Sequence, residues 1–444
     1  MSDMKQMMER LLDKVATLGA EADLIASSDQ ALSLKADKGE LSEYKVTSSR
    51  QIGIRLIRDG RVGIAYSEAL DDASLDAMLQ DALDASRFAR LDPDQQIAIS
   101  NSQLHTADPE IDQPDQTPIE EKIALSLALE SEMLARPGVK SAPYNAYYEG
   151  RSELWLANSH GTFCQHREGS VGAYTTALIE QEGRQSMFYR GQSGRSFAEL
   201  SPRPLMDDIY QTASALLTGE AVPTGHYSVI FAINALSELI GCFSAALSGK
   251  WAMQGINPWR DKLGQHVASP WLTLESRASM AGGMRIKAFD GEGMATSDLR
   301  LIGAGQLDNL LHNSATARHF GVTSNGCAAR GPRSSLDVAP RHLVLAAGPH
   351  SDAEVQEGRY LELIKLDGLH SGADPVSGDF SFGASGFLCE RGERVQPVRG
   401  ITVAGNFYRL LNEIEAMGQH VYADDGRDFY APTIRFGGLN VAGK

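Results

Sequence analysis

Asp290 and Glu292 stand two residues apart in Phe289-Asp-Gly-Glu-Gly293. Two carboxylates at that spacing could share acid/base work, one keeping its proton while the other is ionised. Glycines at 291 and 293 point first to a turn, where the expected state of both acids is solvated and non-catalytic. Arg330, in Cys327-Ala-Ala-Arg-Gly331, could hold a peptide carboxylate through two parallel N–H bonds, although a structural salt bridge is the plainer expectation. His160 lies in Asn158-Ser-His-Gly161 with no recognisable nucleophile and orienting partner, so it reads as a turn residue. Asp374 and Asp379 flank Pro375-Val-Ser-Gly378 and read as turn-formers, because Asp readily bonds its own backbone. Gly383-Ala-Ser-Gly386 lacks the spacing of a nucleophile elbow. Gly291-Glu-Gly293 and Gly303-Ala-Gly305 lack the third glycine of a dinucleotide site. No catalytic residue is assigned on spacing alone.

The elements around these residues read as an α+β protein. Residues Met4 to Leu18 form an amphipathic helix. Alternating strands follow at Ala31–Lys35, Leu41–Val46, Gln51–Ile57 and Arg61–Tyr66, with Asp59-Gly60 as a hairpin turn between the last two. A second helix runs from about Leu70 to Arg87, capped by Asp71 or Asp72. The stretch from Leu91 to Pro118 is rich in Asp, Pro, Gln and Ser and reads as an exposed linker. A helix from Pro118 to Leu134 leads into strands at Val139–Glu149, Ser152–Ala157 and Thr162–Ile179. Another helix follows at Met206–Leu217, then a buried strand at His226–Ala232 and a helix rich in small residues at Ala235–Ser248. The acidic turn precedes a strand, Leu299-Arg-Leu-Ile302. Leu307, Leu310, Leu311, Ala315 and Ala317 then recur at helical intervals, which predicts a helix over Gln306–Phe320 closed by Gly321. His312 and His319 would lie about two turns apart on it, too far to chelate one ion without further ligands. Residues 1–115 are expected to form an N-terminal helix/antiparallel-sheet domain with its linker. A middle helix-plus-strand section spans 116–222, and a strand-rich C-terminal domain spans 223–444.

The chain has 444 residues and a formal net charge of −16. That sign opposes a phosphate backbone, whose binding runs on clustered Lys and Arg, so direct nucleic-acid binding is not expected. The first residues carry charges of both signs and no apolar core of a secretory signal. No stretch approaches the roughly 18 uncharged apolar residues of a membrane span, so the expected location is the cytoplasm. Cys164, Cys242, Cys327 and Cys389 lie far apart with no C-x-x-C pair, which predicts packed, reduced thiols and neither a zinc knuckle nor a disulfide framework.

The wording of the C-terminal half resembles the TldD/PmbA family, often labelled "modulator of DNA gyrase". The resemblance rests on Phe289-Asp-Gly-Glu-Gly293, the strand to Gly305, and Ala317-Arg-His-Phe-Gly321. It continues through Val376-Ser-Gly-Asp-Phe-Ser381, Gly386-Phe-Leu-Cys-Glu-Arg-Gly-Glu393, Ile401-Thr-Val-Ala-Gly-Asn406 and Leu439-Asn-Val-Ala-Gly443. It is looser in the N-terminal half. In the TldD branch the resemblance implies a zinc-binding His-Glu-x-x-x-His on the helix that follows the first C-terminal strand, with two imidazole ligands and a Glu that activates water. Those three positions fall here on Gly241, Cys242 and Ala246, and none of the eleven histidines is followed by Glu. The late Cys ligand of that branch is also missing, since Cys389 is the last cysteine.

The pattern therefore resembles the PmbA branch, also called TldE. The resemblance implies a non-catalytic subunit of a cytoplasmic metalloprotease, with no cofactor in this chain and zinc in a TldD-type partner subunit. The implied substrates are extended peptides or unfolded proteins, and a homodimer is expected when the chain is alone, with close packing near Gly241. Asp290, Glu292, Arg330 and Asn406 are the motif positions it offers as substrate-groove candidates. Two other readings stay open: an autonomous hydrolase with an unrecognised site, and a non-enzymatic regulator of gyrase or toxin-antitoxin systems.

Overall fold

The computed structural model describes residues 2–100, 104–106 and 111–444. It is a mixed α+β protein built on two large sheets. Helix α1 (Ser2–Thr17) leads into β1 (Glu21–Asp37), which pairs antiparallel with β2 (Glu40–Arg58), and β2 with β3 (Arg61–Ser67). Asp59 and Gly60 both have positive φ, 51° and 70°, the geometry that lets a two-residue hairpin follow the strand twist. Helix α2 (Asp72–Phe88) is capped by Asp71, whose carboxylate accepts from the Ser74 N–H at 3.0 Å. Met8, Leu11 and Val15 of α1 and Leu75, Met78 and Leu79 of α2 pack on Leu24, Ala26, Ile52 and Ile54 of the sheet.

β1 and β2 are much longer than the sequence pattern predicts. The apolar alternation of Leu41–Val46 and Gln51–Ile57 is bridged by Thr47-Ser-Ser-Arg50, all exposed, so the joining residues carry no burial signal although they continue the strand. The middle stretch joins the same sheet. Ala146–Asn158 pairs with β1 from Asp23↔Asn158 to Leu34↔Tyr147, then with Phe163–Gln181, which pairs with Arg184–Gly194. That last strand has no counterpart in the sequence reading. Helix α3 (Ile119–Leu134) covers Leu32, Leu34, Tyr147 and Ala173. Helix α4 (Pro202–Leu217) begins on prolines at its first turn, where the missing N–H is harmless.

The stretch expected to be an exposed linker is partly packed. Ile97, Ala98 and Ile111 are buried, and the Asn158 amide donates to the Ala98 carbonyl at 2.9 Å. Apolar side chains between polar neighbours bury these positions. Residues 101–103 and 107–110 of that stretch lie outside the described residues.

The second sheet has ten strands and encloses the largest core. Strand Gly225–Phe231 runs parallel to Arg359–Asp367 and antiparallel to Phe429–Ala442. Helix α5 (Ile233–Cys242) buries Ala235, Leu236, Leu239 and Ile240. It ends six residues before the predicted Ser248, and a 3-10 turn over Ser244–Leu247 takes its place. Among the described residues no helix is long and apolar enough to cross a membrane.

Candidate functional site

The acidic turn folds around one carboxylate. Asp290 Oδ1 accepts from the N–H groups of Glu292 and Met294 at 2.9 and 3.0 Å, and Oδ2 accepts from Ala328 at 3.0 Å. Gly293 sits at φ 80°. A Cβ there would lie 2.6 Å from Thr162 and 2.9 Å from Leu156, so this glycine serves both the turn and its close approach to the first sheet.

Glu292 points into that contact. Its Oε2 accepts from the Ser314 N–H at 2.8 Å and its Oε1 from Arg55 Nη2 at 3.0 Å. Arg55 also donates through Nε to Asp23 Oδ2 at 2.9 Å, and Arg330 pairs with the same Asp23 carboxylate. Arg55 Nη1 reaches the Gln95 amide, while Gln96 donates to the Ser314 carbonyl at 2.9 Å. Asp23, Arg55, Asp290 and Glu292 are each 1% exposed. Two acids and two arginines thus form a charge-balanced buried quartet, with Asp23 and Arg55 from the first sheet and Glu292 and Arg330 from the C-terminal half.

The expectation of solvated carboxylates at 290 and 292 is therefore corrected. The glycines make a turn, but β1 and β2 cover it. Arg330 takes the structural alternative and pairs with Asp23. Burial lowers the Arg330 guanidinium to about 9. Burial, followed by the charge of Glu292, raises Asp290 to about 6, against the three N–H donors that favour its ionised form. A carboxyl whose folded pKa exceeds its unfolded value takes up a proton on folding. Its stabilising contribution is complete below about 4 and is lost as pH rises through about 6. Urea unfolding should show the wild type gaining stability relative to Asp290→Asn between pH 7 and pH 5, by about 1 kcal/mol. A difference that stays flat across that range would contradict the assignment.

Asn406 lies apart from this cluster. It caps the turn Phe407–Leu410, accepting from the Arg409 N–H at 3.2 Å, and its amide donates to the Ser377 carbonyl and Asp379, both at 2.8 Å. Asp374 is a turn-former, accepting from the Val376 N–H at 2.9 Å. His160 sits in the turn after Asn158, whose side chain accepts from the His160 N–H at 2.9 Å.

The positions matching the zinc motif lie at the end of α5. Gly241 is exposed with open space where a Cβ would be. Cys242 is half-buried rather than packed away, with its thiol pushed up by burial and then by Glu238. Ala246 is fully buried in the 3-10 turn. The predicted Gln306–Phe320 helix is also corrected, because it is helical only over Ser314–Phe320, capped by Asn313 and closed by Gly321 at φ 64°. His312 precedes it, buried, with Nδ1 3.1 Å from Thr316 Oγ1 and its pKa lowered by burial to about 4. His319 pairs with Asp94 at 2.7 Å. The two imidazoles thus serve separate contacts. Among the described residues no group of three or more His, Cys, Asp and Glu could hold a metal ion.

Three family descriptions match the chain in order. PmbA/TldA metallopeptidase domain 1 covers residues 22–86, the central domain 112–217, and the C-terminal domain 224–443. The chain belongs to the PmbA/TldD metallopeptidase family. It is 25% identical to Metalloprotease PmbA of Escherichia coli O157:H7, over 90% of this chain and 88% of that one. It is 24% identical to a TldD homologue of Haemophilus influenzae, over 91% and 86%. Overall identity does not separate the two branches, so the metal-site positions must.

Among solved structures the fold is shared with a proposed DNA gyrase modulator of Thermotoga maritima, at TM-score 0.88 and 22% identity over 99% of this chain and all of the other. It is also shared with TldE of Thermococcus kodakarensis, at TM-score 0.85 and 19% identity over 98% and 100%. A zinc hydrolase needs three donors that keep one coordination position open. The glycine, half-buried thiol and buried methyl at 241, 242 and 246 do not fit that metal.

Asp23, Arg55 and Ser314 escape the sequence reading. Arg55 left a signal, a lone charge inside Ile52-Gly-Ile-Arg-Leu-Ile57, since a buried arginine requires a buried acid. Nothing in the sequence says that the acids come from residues 23 and 292.

Proposed function

We propose that this chain is the PmbA/TldE-type, non-catalytic subunit of a cytoplasmic two-chain metalloprotease that acts on extended peptides or unfolded proteins. The observation that carries the reading is the end of α5, where Gly241, Cys242 and Ala246 stand in place of the zinc-binding set. The family supports the chemistry of the complex. In this reading zinc belongs to a TldD-type partner, and this chain supplies a surface along which an extended substrate forms backbone hydrogen bonds.

Cleavage of unfolded casein fragments tests it directly. The chain alone is expected to be inactive, and mixing with a TldD-type chain should produce cleavage that a chelator abolishes. Cleavage by the isolated chain that survives chelator would replace this reading with an autonomous hydrolase.

A further inference from the structure

Beside the acidic turn two cations repel one another with no acid bound to either. Lys287 leads into the turn, its carbonyl held by the Thr296 hydroxyl at 2.5 Å and its ammonium 6.0 Å from the centre of the Phe289 ring. The charge that weighs most on it is the guanidinium of Arg341, just before the strand His342–Leu345. Arg341 donates through Nη2 to the Phe289 carbonyl at 3.0 Å, and its Nε is buried with no acceptor among the described residues. The acids in electrostatic reach, Glu168 and Asp290, are engaged elsewhere. Glu168 lies 3.5 Å from both His166 Nε2 and Arg195 Nη1, and Asp290 accepts its three N–H groups. Arg285, the other cation nearby, pairs with Asp428. Desolvated like charges without counter-ions cost free energy. Burial, then the Arg341 charge, lowers the Lys287 ammonium to about 8. At pH 7.5 roughly a quarter of it is therefore free amine, ~200-fold more than in an ordinary lysine.

We infer that Lys287 is carbamylated by carbon dioxide, and that the carbamate oxygens accept from the Arg341 guanidinium. The amine lone pair forms the N–C bond, one C=O electron pair moves onto oxygen, and an N–H proton leaves to the buffer. Nothing is oxidised or reduced, and carbon dioxide is the only co-reactant. The product is negative where the ammonium was positive, so a repulsion becomes a charge-assisted pair. Carbon dioxide suits the position because it is small and uncharged, and Lys287 is only partly exposed. The bridge ties the segment that enters the acidic turn to the strand that follows Arg341. This inference is independent of the partner reading, since a chain that fails to activate a TldD-type subunit carries the carbamate all the same.

Carbon-13 bicarbonate in equilibrium with carbon dioxide, added to the full chain, should give a carbamate carbon resonance. Lys287→Arg keeps the charge but removes the reactive amine, and is expected to lose that resonance. Trapping with triethyloxonium followed by peptide mass spectrometry should place an ethyl carbamate on Lys287, with the α-amino group, whose ordinary pKa is similar, as the internal comparison. Arg341→Met removes the partner cation and should lower occupancy at least tenfold at the same carbon dioxide concentration. The trapping is read on the wild type, so it decides the matter even where Arg341→Met does not fold. At constant ionic strength, carbon dioxide should raise the Tm of the wild type and leave that of Lys287→Arg unchanged. No adduct at Lys287, or one no more abundant than at the other lysines, would overturn the inference. So would a stabilisation by bicarbonate that nitrate matches, the mark of an anion resting between the two cations without a covalent bond.

Discussion

Arg55→Met is expected to destabilise the protein by about 3–5 kcal/mol, because it removes the cation between two buried carboxylates and leaves Glu292 with no opposite charge. Met keeps most of the side-chain volume, so the loss reports charge and hydrogen bonding more than a cavity. Asp23 retains Arg330, whereas Glu292 retains only neutral donors from Ser314. Neutralising that stranded acid should therefore recover part of the loss. The double variant Arg55→Met/Glu292→Gln is expected to regain on the order of 1–2 kcal/mol over Arg55→Met alone in urea unfolding, as coupled neighbours do. A single-variant loss below about 1 kcal/mol would mean that the quartet is not what seats the C-terminal half on the first sheet.

Gly53→Ala should be comparably damaging for a steric reason. Gly53 lies in the buried run Ile52–Leu56 of β2, and a Cβ there would stand 1.8 Å from the Pro332 carbonyl oxygen and 2.5 Å from its carbon. Backbone cannot rotate away as a side-chain tip can. The segment carrying Arg330 must retreat, at an expected cost of about 3 kcal/mol or more. Amide exchange should speed up on both sides of the contact, along Ile52–Leu56 and at Gly291–Met294, while α4 keeps its protection. Because Arg330 and Arg55 meet at Asp23, Gly53→Ala and Arg55→Met should be less than additive. Exchange that rises uniformly across the molecule would point to global loosening and contradict a local dock.

The sequence made local features legible and hid the long-range ones. The turn at 289–293 and strand Leu299–Gly303 could be read because glycine placement and an apolar run are local signals. The Gln306–Phe320 helix was misread because Leu307, Leu310 and Leu311 have helical spacing but are buried as extended chain. The Leu311 N–H bonds to the Leu247 carbonyl, the Asn309 amide to the Arg300 carbonyl, and the Asn325 carboxamide accepts from the His312 N–H. Those bonds hold the backbone outside a helix until Asn313 caps the true one. That Gly241 and Ala246 offer no metal donor could be read from the sequence, because neither side chain has a ligating atom. The quartet was not, because its acids and arginines lie far apart in sequence and their pairing is a property of two sheets meeting.

The central claim, that this chain carries no zinc site of its own, is tested most directly by elemental analysis of the isolated, dialysed protein. The account predicts zinc far below one equivalent per chain, with no gain after incubation with zinc and a second dialysis. One equivalent of zinc that survives dialysis and is lost on treatment with a chelator would contradict it, and would direct attention to Cys242, His312 and His319.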